Sequence, residues 1–546
     1  MRRWNGWGDE KNSFPLRKNG LKYIASKIGK GFILPDAKLE DVLAQVPPSR
    51  MPSHPLISID AEVRVRHARG QSLPDWYAMR SGEFKVFPDG VAEPENSQQV
   101  QELLQWAIQH NIQVIPYGGG TSVAGHITPQ ASSQPILTLS LARMNTLISL
   151  DKTSQIARFG AGTAGPQVEQ QLAEHGFVLG HFPQSFELST IGGWVASRSS
   201  GQQSIRYGRI EQMFAGGRIE TPRGTLDIPT IPASSAGPDM REIFMGTEGR
   251  MGIITEVDVR IQRLPEHESF HCAFLPDWET AVNLVRELIQ NKVQLSLLRL
   301  SNPEETRTHL LLGADGFAVK WLNRYAALRG SPDGKCMLTF GTSGSNTQTK
   351  FSIAETKRFI KQAGGMYAGT YMGKKWEHSR FRSPYLRHGF WEHGYSIDTL
   401  ETSVNWNNVT ASMQAIEQAI QANAGGDDID NQEKVHVFSH LSHVYGQGSS
   451  IYTTYFFRNS ASYEQNITRW QAIKKAASDT IIQMGGTISH QHGVGRDHKP
   501  WLPLEKGTLA MQALGQMVEF FDEKQLLNPG CLADFDSFKA DTKNTK

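Results

Sequence analysis

Ten residues, Pro116-Tyr117-Gly118-Gly119-Gly120-Thr121-Ser122-Val123-Ala124-Gly125, carry the clearest chemical signal in the sequence. Successive glycines have no Cβ, so the main chain can turn through positive φ and approach a ligand closely. Consecutive N–H groups in such a turn form an anion nest suited to phosphate. Thr121 and Ser122 add hydroxyl donors. The spacing is not that of the two best-known phosphate loops. No Gly-Lys-Ser/Thr follows, and Val123 stands where G-x-G-x-x-G requires its last glycine. Taken alone, the stretch reads equally well as a glycine-rich surface turn.

Three further stretches bear on it. His181 to Gly201 combines Pro183, Gly192-Gly193 and many hydroxyls with few aliphatic residues. That composition builds a loop that meets a polar ligand with its backbone. Ile191, Trp194 and Val195 within it need burial, which argues against a plain surface loop. Met245 to Gly252 is a second glycine loop, feeding a strand in which Ile253, Val257, Val259 and Ile261 alternate with polar residues. His490 and His492 stand at i and i+2 between glycine-containing turns, an arrangement that favours a site over isolated packing. Their spacing is not that of a metal pair, and no metal is expected.

The elements that must position these residues follow from periodicity. Phe84–Pro88 reads as a short edge strand. Ser97 reads as the N-cap of a helix carrying Val100, Leu103, Leu104, Ala107 and Ile108. A strand at Gln113–Pro116 completes a β-α-β unit that ends at the glycine loop. Strands follow at 136–141, 146–150 and 156–160, then a helix at 165–175, and at best a weak strand at 214–217. Pro265 closes this first body. The second reads as an α+β cap, with helices at 281–289 and 352–362 and strands at 295–300, 336–340, 434–439 and 451–457. Gly425-Gly426-Asp427-Asp428 reads as an exposed loop, and a last helix spans 508–521. The expected layout is an N-terminal arm (1–82), a first domain (83–265), a cap (266–480) and a C-terminal segment (481–546). The arm is polar and Pro-rich, wraps the body, and displays no chemistry of its own.

At 546 residues the chain exceeds what one core supports. Lys+Arg 56 against Asp+Glu 54 is nearly balanced and leaves no nucleic-acid footprint. No apolar run approaches a membrane span. The start, Met1-Arg2-Arg3-Trp4-Asn5-Gly6-Trp7-Gly8, lacks the apolar run of a signal peptide. The last four residues, Lys543 to Lys546, form no peroxisomal or lipidation address. Cys272, Cys336 and Cys531 are widely scattered, which suits a reducing compartment. A cytoplasmic protein is expected.

The glycine loop, the Pro-x-Ser-x-Glu-x-Ser-Thr-x-Gly-Gly-Trp segment (Pro183–Trp194), the loop from Gly246 to Thr255 and the closing Asn528-Pro529-Gly530 resemble the vanillyl-alcohol-oxidase-type, or PCMH-type, FAD flavoproteins. Within them the chain is similar to the alkyldihydroxyacetonephosphate synthase family, in its bacterial branch. Arg3-Trp4-Asn5-Gly6-Trp7-Gly8, Leu400-Glu401-Thr402, Ser450-Ile451-Tyr452 and Ser489 to Gly495 carry this likeness across nearly the whole chain. The resemblance implies an α+β fold: a two-subdomain FAD-binding domain with an α+β cap over the flavin. It implies that Pro116, Gly118, Gly119, Gly120, Thr121 and Ser122 cradle the FAD diphosphate. Pro183, Ser185, Thr190, Gly192, Gly193 and Ser197 would line flavin and diphosphate, and Glu248, Gly249 and Ile254 the adenosine side.

That family exchanges the acyl chain of an acyl-dihydroxyacetone phosphate for a long-chain alcohol, capturing the ketone substrate through flavin N5 without net redox change. Such chemistry needs a base, a cation for the phosphate and an apolar tunnel. The matching positions are Tyr452 as acid/base, His490 and His492 near flavin and phosphate, and Arg299 and Arg387 as phosphate-binding or orienting cations. Each has a blander reading. Tyr452 sits in an alternating strand and could be packing. Arg387 lies among other Arg and His residues and could be a solvated charge. Of His440 and His443, one is expected in the site and one in the framework, and Trp376, Phe390, Trp391 and Trp406 read as core.

Departures bear on the reaction. Gln491 stands where animal members carry the middle of three histidines, Arg250 replaces a small hydroxyl residue, and Gln184 replaces an acid. No histidine occupies the first glycine loop where some relatives bond flavin covalently, so noncovalent FAD is expected. The competing activity is an FAD-linked dehydrogenase of a D-2-hydroxy acid, for which the same Arg and His residues would serve. A homodimer and peripheral membrane contact stay open.

Overall fold

A computed structural model describes residues 2–313, 334–425 and 433–533. The expected loop at Gly425–Asp428 lies, beyond Gly425, outside the described residues. No helix among the described residues is long and apolar enough to cross a membrane.

The glycine loop is the end product of a short parallel layer. Strands β1 (Ile57–Ser58), β2 (Gly90–Ala92), β3 (Gln113–Tyr117) and β4 (Ile136–Ser140) form a sheet in the order β1-β2-β4-β3. β2 and β3 both run parallel to β4. Helix α1 (Ser97–Gln109) makes the crossover from β2 to β3. Its N-cap is Asn96, whose side chain accepts from Gln99 N, one residue earlier than expected. Val100, Leu103, Leu104 and Ala107 form its buried stripe. The edge strand expected at Phe84–Pro88 is absent, and the first parallel strand is β2 instead. Lys85 adopts φ 59°, which breaks an extended run, and the Phe84 and Phe87 rings stack 5.1 Å apart. Both rings are buried in a cluster with Val42, Val65 and Met79, so the segment is held by the N-terminal arm rather than by a ladder.

A second, antiparallel sheet follows: β5 (Leu147–Asp151), β6 (Ile156–Gly160), β7 (Phe214–Thr221), β8 (Gly224–Ile228) and β9 (Ile253–Arg260), in the order β5-β6-β9-β7-β8. β7 is no weak strand but an eight-residue inner strand. Its glycines reflect close backbone approach: a Cβ on Gly216 would lie 2.4 Å from Ile228 O. The segment expected as a loop at 181–201 contains a helix, α2 (Ile191–Ser197). Ile191, Trp194 and Val195 are buried on it, as their apolar character requires.

The cap is a seven-stranded antiparallel sheet. Its strands are β10 (His267–Leu275), β11 (Leu297–Ser301), β12 (Cys336–Gly344), β13 (Met366–Gly369), β14 (Tyr395–Asn405), β15 (His436–Leu441) and β16 (Gly448–Arg458), in the order β13-β10-β12-β11-β15-β16-β14. Strand periodicity sends alternate residues to opposite faces. On β16, Ile451, Tyr455 and Phe457 join apolar clusters that include α3 (Val409–Ala422) and α4 (Tyr463–Gln483). Tyr452, Thr454 and Phe456 face the other way, into a cavity shared with the first domain. The C-terminal segment returns to that domain: Val114 N donates to Leu526 O and Asn528 N to Val114 O, both at 2.8 Å.

Candidate active site

One cavity of about 440 Å³ runs from the glycine loop to the cap sheet. Pro116 to Val123 form one wall, Pro183–Ser185 and Gly192–Gly193 a second, and Gly249 and Ile254 a third. The first two walls touch more closely than side chains allow. A Cβ on Gly119 would lie 1.8 Å from Leu188 O, and one on Gly118 would lie 2.4 Å from Thr190 Oγ1. Gly120 adopts φ 69°. The glycines are therefore required by backbone contact as well as by the turn.

FAD fits this groove on the evidence of its polar atoms. Ser200 Oγ, Gln202 Oε1 and Gln491 Oε1 are buried without a hydrogen-bond partner, and all three residues line the cavity. Buried polar groups are normally paired, so these call for a polar occupant. Glu248 lines the cavity and also braces its walls. It adopts φ 54°, and its carboxylate accepts from Val494 N (2.6 Å) and Gly495 N (2.8 Å). It thereby ties the second glycine loop to the His-Gly-Val-Gly turn. Ser197 Oγ donates to Gly193 O at 2.9 Å. Arg250 is fully buried and donates to Leu527 O at 2.6 Å, which explains a large residue in place of a small hydroxyl.

Beyond the groove, the cap sheet presents rungs of graded polarity. Tyr452 pairs across the ladder with Glu401 and His440. The next rung is Thr399, Thr454 and Phe438, and the next holds Ile397 and Phe456. Phe390 and Leu312 also line this apolar end. Thus Phe390 and Trp376 belong to the cavity wall and not to the core alone, whereas Trp391 is core.

The polar rung is densely wired. The Tyr452 hydroxyl donates to Thr399 Oγ1 at 3.1 Å, and burial pushes its pKa up to about 12. Its ring lies between His440 (5.0 Å) and His492 (5.7 Å). His440 Nδ1 is 2.8 Å from Glu305 Oε1, and Arg299 Nη2 donates to that same oxygen at 2.8 Å. Burial works to raise the Glu305 pKa, but His440 and Arg299 outweigh it and hold the carboxyl well below its ordinary value. Asn302 positions Glu305: its Oδ1 accepts from Glu305 N at 2.8 Å at the start of the helix Pro303–Gly313.

Glu401 is a second buried hub. Its Oε1 accepts from Gln491 N (2.6 Å) and His492 N (2.7 Å). Burial opposes ionisation, yet His492, His490 and these N–H groups keep the carboxyl below its ordinary pKa. Burial lowers the pKa of His492, whose ring lies beside Tyr452, and Glu401 opposes that shift.

The structure gathers Tyr452, His492, Arg299 and Arg387 around one cavity. His490 is not part of its lining. Arg209 Nη1 donates to its Nε2 at 2.6 Å, with Tyr445 Oη at 2.6 Å from the same nitrogen. His490 therefore braces the turn that carries His492. His440 and His443 both line the cavity, so neither is framework alone. Arg387 is no solvated charge: it donates to Gln71 O (2.6 Å) and to Asp398 Oδ1 (3.2 Å). Sequence reasoning overlooked Glu305 and Asp398. The Asn302-Pro303-x-Glu305 helix start marked the first, but nothing local marked its role.

Comparison with known proteins bears on the fold and the cofactor. The FAD binding domain family matches residues 88–227, and the family "FAD linked oxidases, C-terminal domain" matches residues 264–532. The chain is 29% identical to alkyldihydroxyacetonephosphate synthase of Trypanosoma brucei brucei, covering 97% of this chain and 92% of that one. It is 28% identical to an uncharacterized FAD-linked oxidoreductase, YgcU, of Escherichia coli (strain K12), covering 82% of this chain and 92% of that one. A solved alkyldihydroxyacetonephosphate synthase superposes with a TM-score of 0.82 at 26% identity, covering 97% of this chain and 98% of the other.

Proposed function

We propose that the chain is an FAD-dependent enzyme of the alkyldihydroxyacetonephosphate synthase-like kind, which exchanges the acyl group of an acyl-dihydroxyacetone phosphate for a fatty alcohol, a step of ether-lipid synthesis. The observation that carries this reading is the gradient along the cap sheet. Arg299, Arg387, His440 and His492 gather cationic and donor groups around Tyr452, while Ile397, Phe456, Phe438 and Phe390 line a mainly apolar end further on. A phosphate head with a long hydrocarbon tail matches both ends. A small 2-hydroxy acid would use the polar end and leave the apolar rungs without a task.

FAD, held by the glycine-loop and Pro183–Gly193 walls, would supply an electrophilic ring to the reaction. The chain's own residues do the rest. Pro116 to Ser122 present N–H groups and hydroxyls to the diphosphate. Arg387 and Arg299 orient the substrate phosphate, for which the planar guanidinium is well suited. Tyr452 and His492 move the proton that leaves the substrate carbon and return it to the leaving group. Glu401 and His490 hold His492 in place, and the cap excludes water. No His or Cys stands within Pro116–Gly125, which supports noncovalent FAD. All three cysteines are unpaired, which supports a reducing compartment such as the cytoplasm.

The test is an exchange assay on the purified holoenzyme with acyl-dihydroxyacetone phosphate and a labelled fatty alcohol. Labelled alkyl ether and released fatty acid are the expected products. Absence of both, with turnover of a D-2-hydroxy acid, would transfer the assignment to the oxidoreductases.

A further inference from the structure

The N-terminal arm, in which the sequence displayed no chemistry, reaches the active site. Trp7 lines the cavity, is 4% exposed, and its indole Nε1 is buried without an acceptor. A buried indole N–H ordinarily finds a partner. We propose that Trp7 is a ligand-binding residue, whose indole N–H donates to a phosphoryl oxygen where the glycine loop meets the cap.

The segment is built to hold this ring in place. Arg2 Nη2 donates to Gly119 O at 2.5 Å, inside the glycine loop itself. Arg3 N donates to Gly8 O at 2.8 Å and closes the turn that carries Trp7. Trp7 N donates to His388 Nε2 at 3.1 Å. The flanking glycines admit no side chain. A Cβ on Gly6 would lie 2.4 Å from His388 Cε1, and one on Gly8, at φ 75°, would lie 2.2 Å from Tyr385 Oη. Two glycines around a fixed tryptophan are the mark of a seat for that tryptophan.

The neighbours define the ligand. Gln71 links the arm, the glycine loop and the cap: its Nε2 donates to Gly6 O (3.4 Å), its N to Ser122 O (2.6 Å), and its carbonyl accepts from Arg387 (2.6 Å). Trp7 therefore sits where the glycine-loop hydroxyls and the Arg387–Asp398 pair meet. Indole, guanidinium and loop N–H groups are donors without acceptors, a set that suits an oxyanion. Two phosphoryl groups come to this place, the FAD diphosphate and the phosphate of the proposed substrate. The second source rests on the transferase reading, the first only on FAD binding.

Trp7→Phe keeps the ring and removes the N–H. Two titrations separate the sources: FAD into apoprotein, followed by flavin fluorescence, and dihydroxyacetone phosphate into holoenzyme, followed by the flavin difference spectrum. The expected result is a roughly ten- to hundredfold loss in one of the two affinities, with an unchanged unfolding temperature of the apoprotein. Loss for FAD assigns the diphosphate, and loss for dihydroxyacetone phosphate alone assigns the substrate. Trp7→His, which restores a ring N–H, recovers part of the loss, as a packing role would not. If Trp7→Phe fails to fold, the same titrations on Trp7→His decide. Wild-type affinities in both titrations overturn the proposal. If the wild-type holoenzyme does not bind dihydroxyacetone phosphate, the transferase reading fails and the FAD titration alone decides on Trp7.

Discussion

Tyr452 lies ring against ring with His440, their centroids 5.0 Å apart and their planes 23° from parallel. His440 in turn bonds Glu305, which holds Arg299. A cation at the cavity, a buried carboxylate, an imidazole and a phenol thus form one connected unit, and a change at one member reaches the others.

Tyr452→Phe removes one hydroxyl and leaves the stack in place. Turnover is expected to fall by roughly 10²–10⁴-fold, the range for loss of a positioned acid/base. Bound flavin, read by its absorbance, stays at the wild-type level because Tyr452 takes no part in the glycine groove. Unchanged turnover would remove Tyr452 from the mechanism.

The two arginines are expected to fail differently. Arg299→Ala leaves Glu305, whose side chain is 1% exposed, without its permanent cation and with the His440 imidazole as its remaining close partner. A loss of about 3 kcal/mol of stability accompanies the loss of activity. Arg387→Ala is milder on stability, because Asp398 still accepts from Trp470 Nε1 (2.7 Å) and Tyr455 Oη (3.2 Å). Its effect is a raised KM for the phosphorylated substrate. Denaturant unfolding and steady-state kinetics on both variants check the contrast, and equal stability losses would contradict it.

Gly119→Ala places a methyl group against the Leu188 carbonyl, a backbone atom that cannot swing aside. The two walls of the groove must part. A cost of about 1–3 kcal/mol and a marked loss of flavin on purification are expected. Full flavin content in this variant would show that the walls tolerate separation.

Acid weakens the fold in two stages. Burial holds His181 and His388 at about 3 and His436 at about 4, so each is neutral when folded and gains a proton on unfolding below about pH 6.5. The unfolded chain then binds more protons, and each group costs about 1.4 kcal/mol per pH unit as pH falls. Glu401 and Glu305, held below their ordinary values, add to the loss below about pH 4.5, the unfolded value, until their folded pKa is passed. The histidine contribution to the unfolding temperature should be level from pH 8 to 6.5 and then fall, offset in part by Glu169, Glu417 and Asp497, whose carboxyls burial raises to about 7 so that they take up protons in the fold first. His492, lowered by burial, puts the acid limb of turnover below pH 6.5 as well. A fall beginning above pH 7 would contradict both.

Much of this was legible in the sequence where the signal is local. The glycine loop, the helix stripe of Val100, Leu103, Leu104 and Ala107, and the alternation on β9 and β16 all express short-range rules. The errors arose where glycine and aromatic residues answer to distant partners. Gly216 and Gly217 made their segment look at best a weak strand because their requirement is the approach of β8 and β9, at Ile228 and Glu256, both more than ten residues away in sequence. Phe84 and Phe87 looked like a strand because the arm that buries them lies upstream. His490 and His492 are two residues apart and chemically alike, yet one braces and one lines the cavity. Only Arg209 and Tyr445, remote in sequence, separate them. Trp7 could be quoted as part of a motif, but its place at the cavity depends on His388 and Tyr385.

The measurement closest to the central claim is the state of the flavin across turnover. Purified holoenzyme is mixed with acyl-dihydroxyacetone phosphate and a fatty alcohol, without an electron acceptor, while flavin absorbance and products are followed together. The account predicts many turnovers to alkyl ether, with the flavin fully oxidised once substrate is exhausted. Lasting bleaching by a D-2-hydroxy acid, reversed by an electron acceptor, with no ether formed, would contradict it.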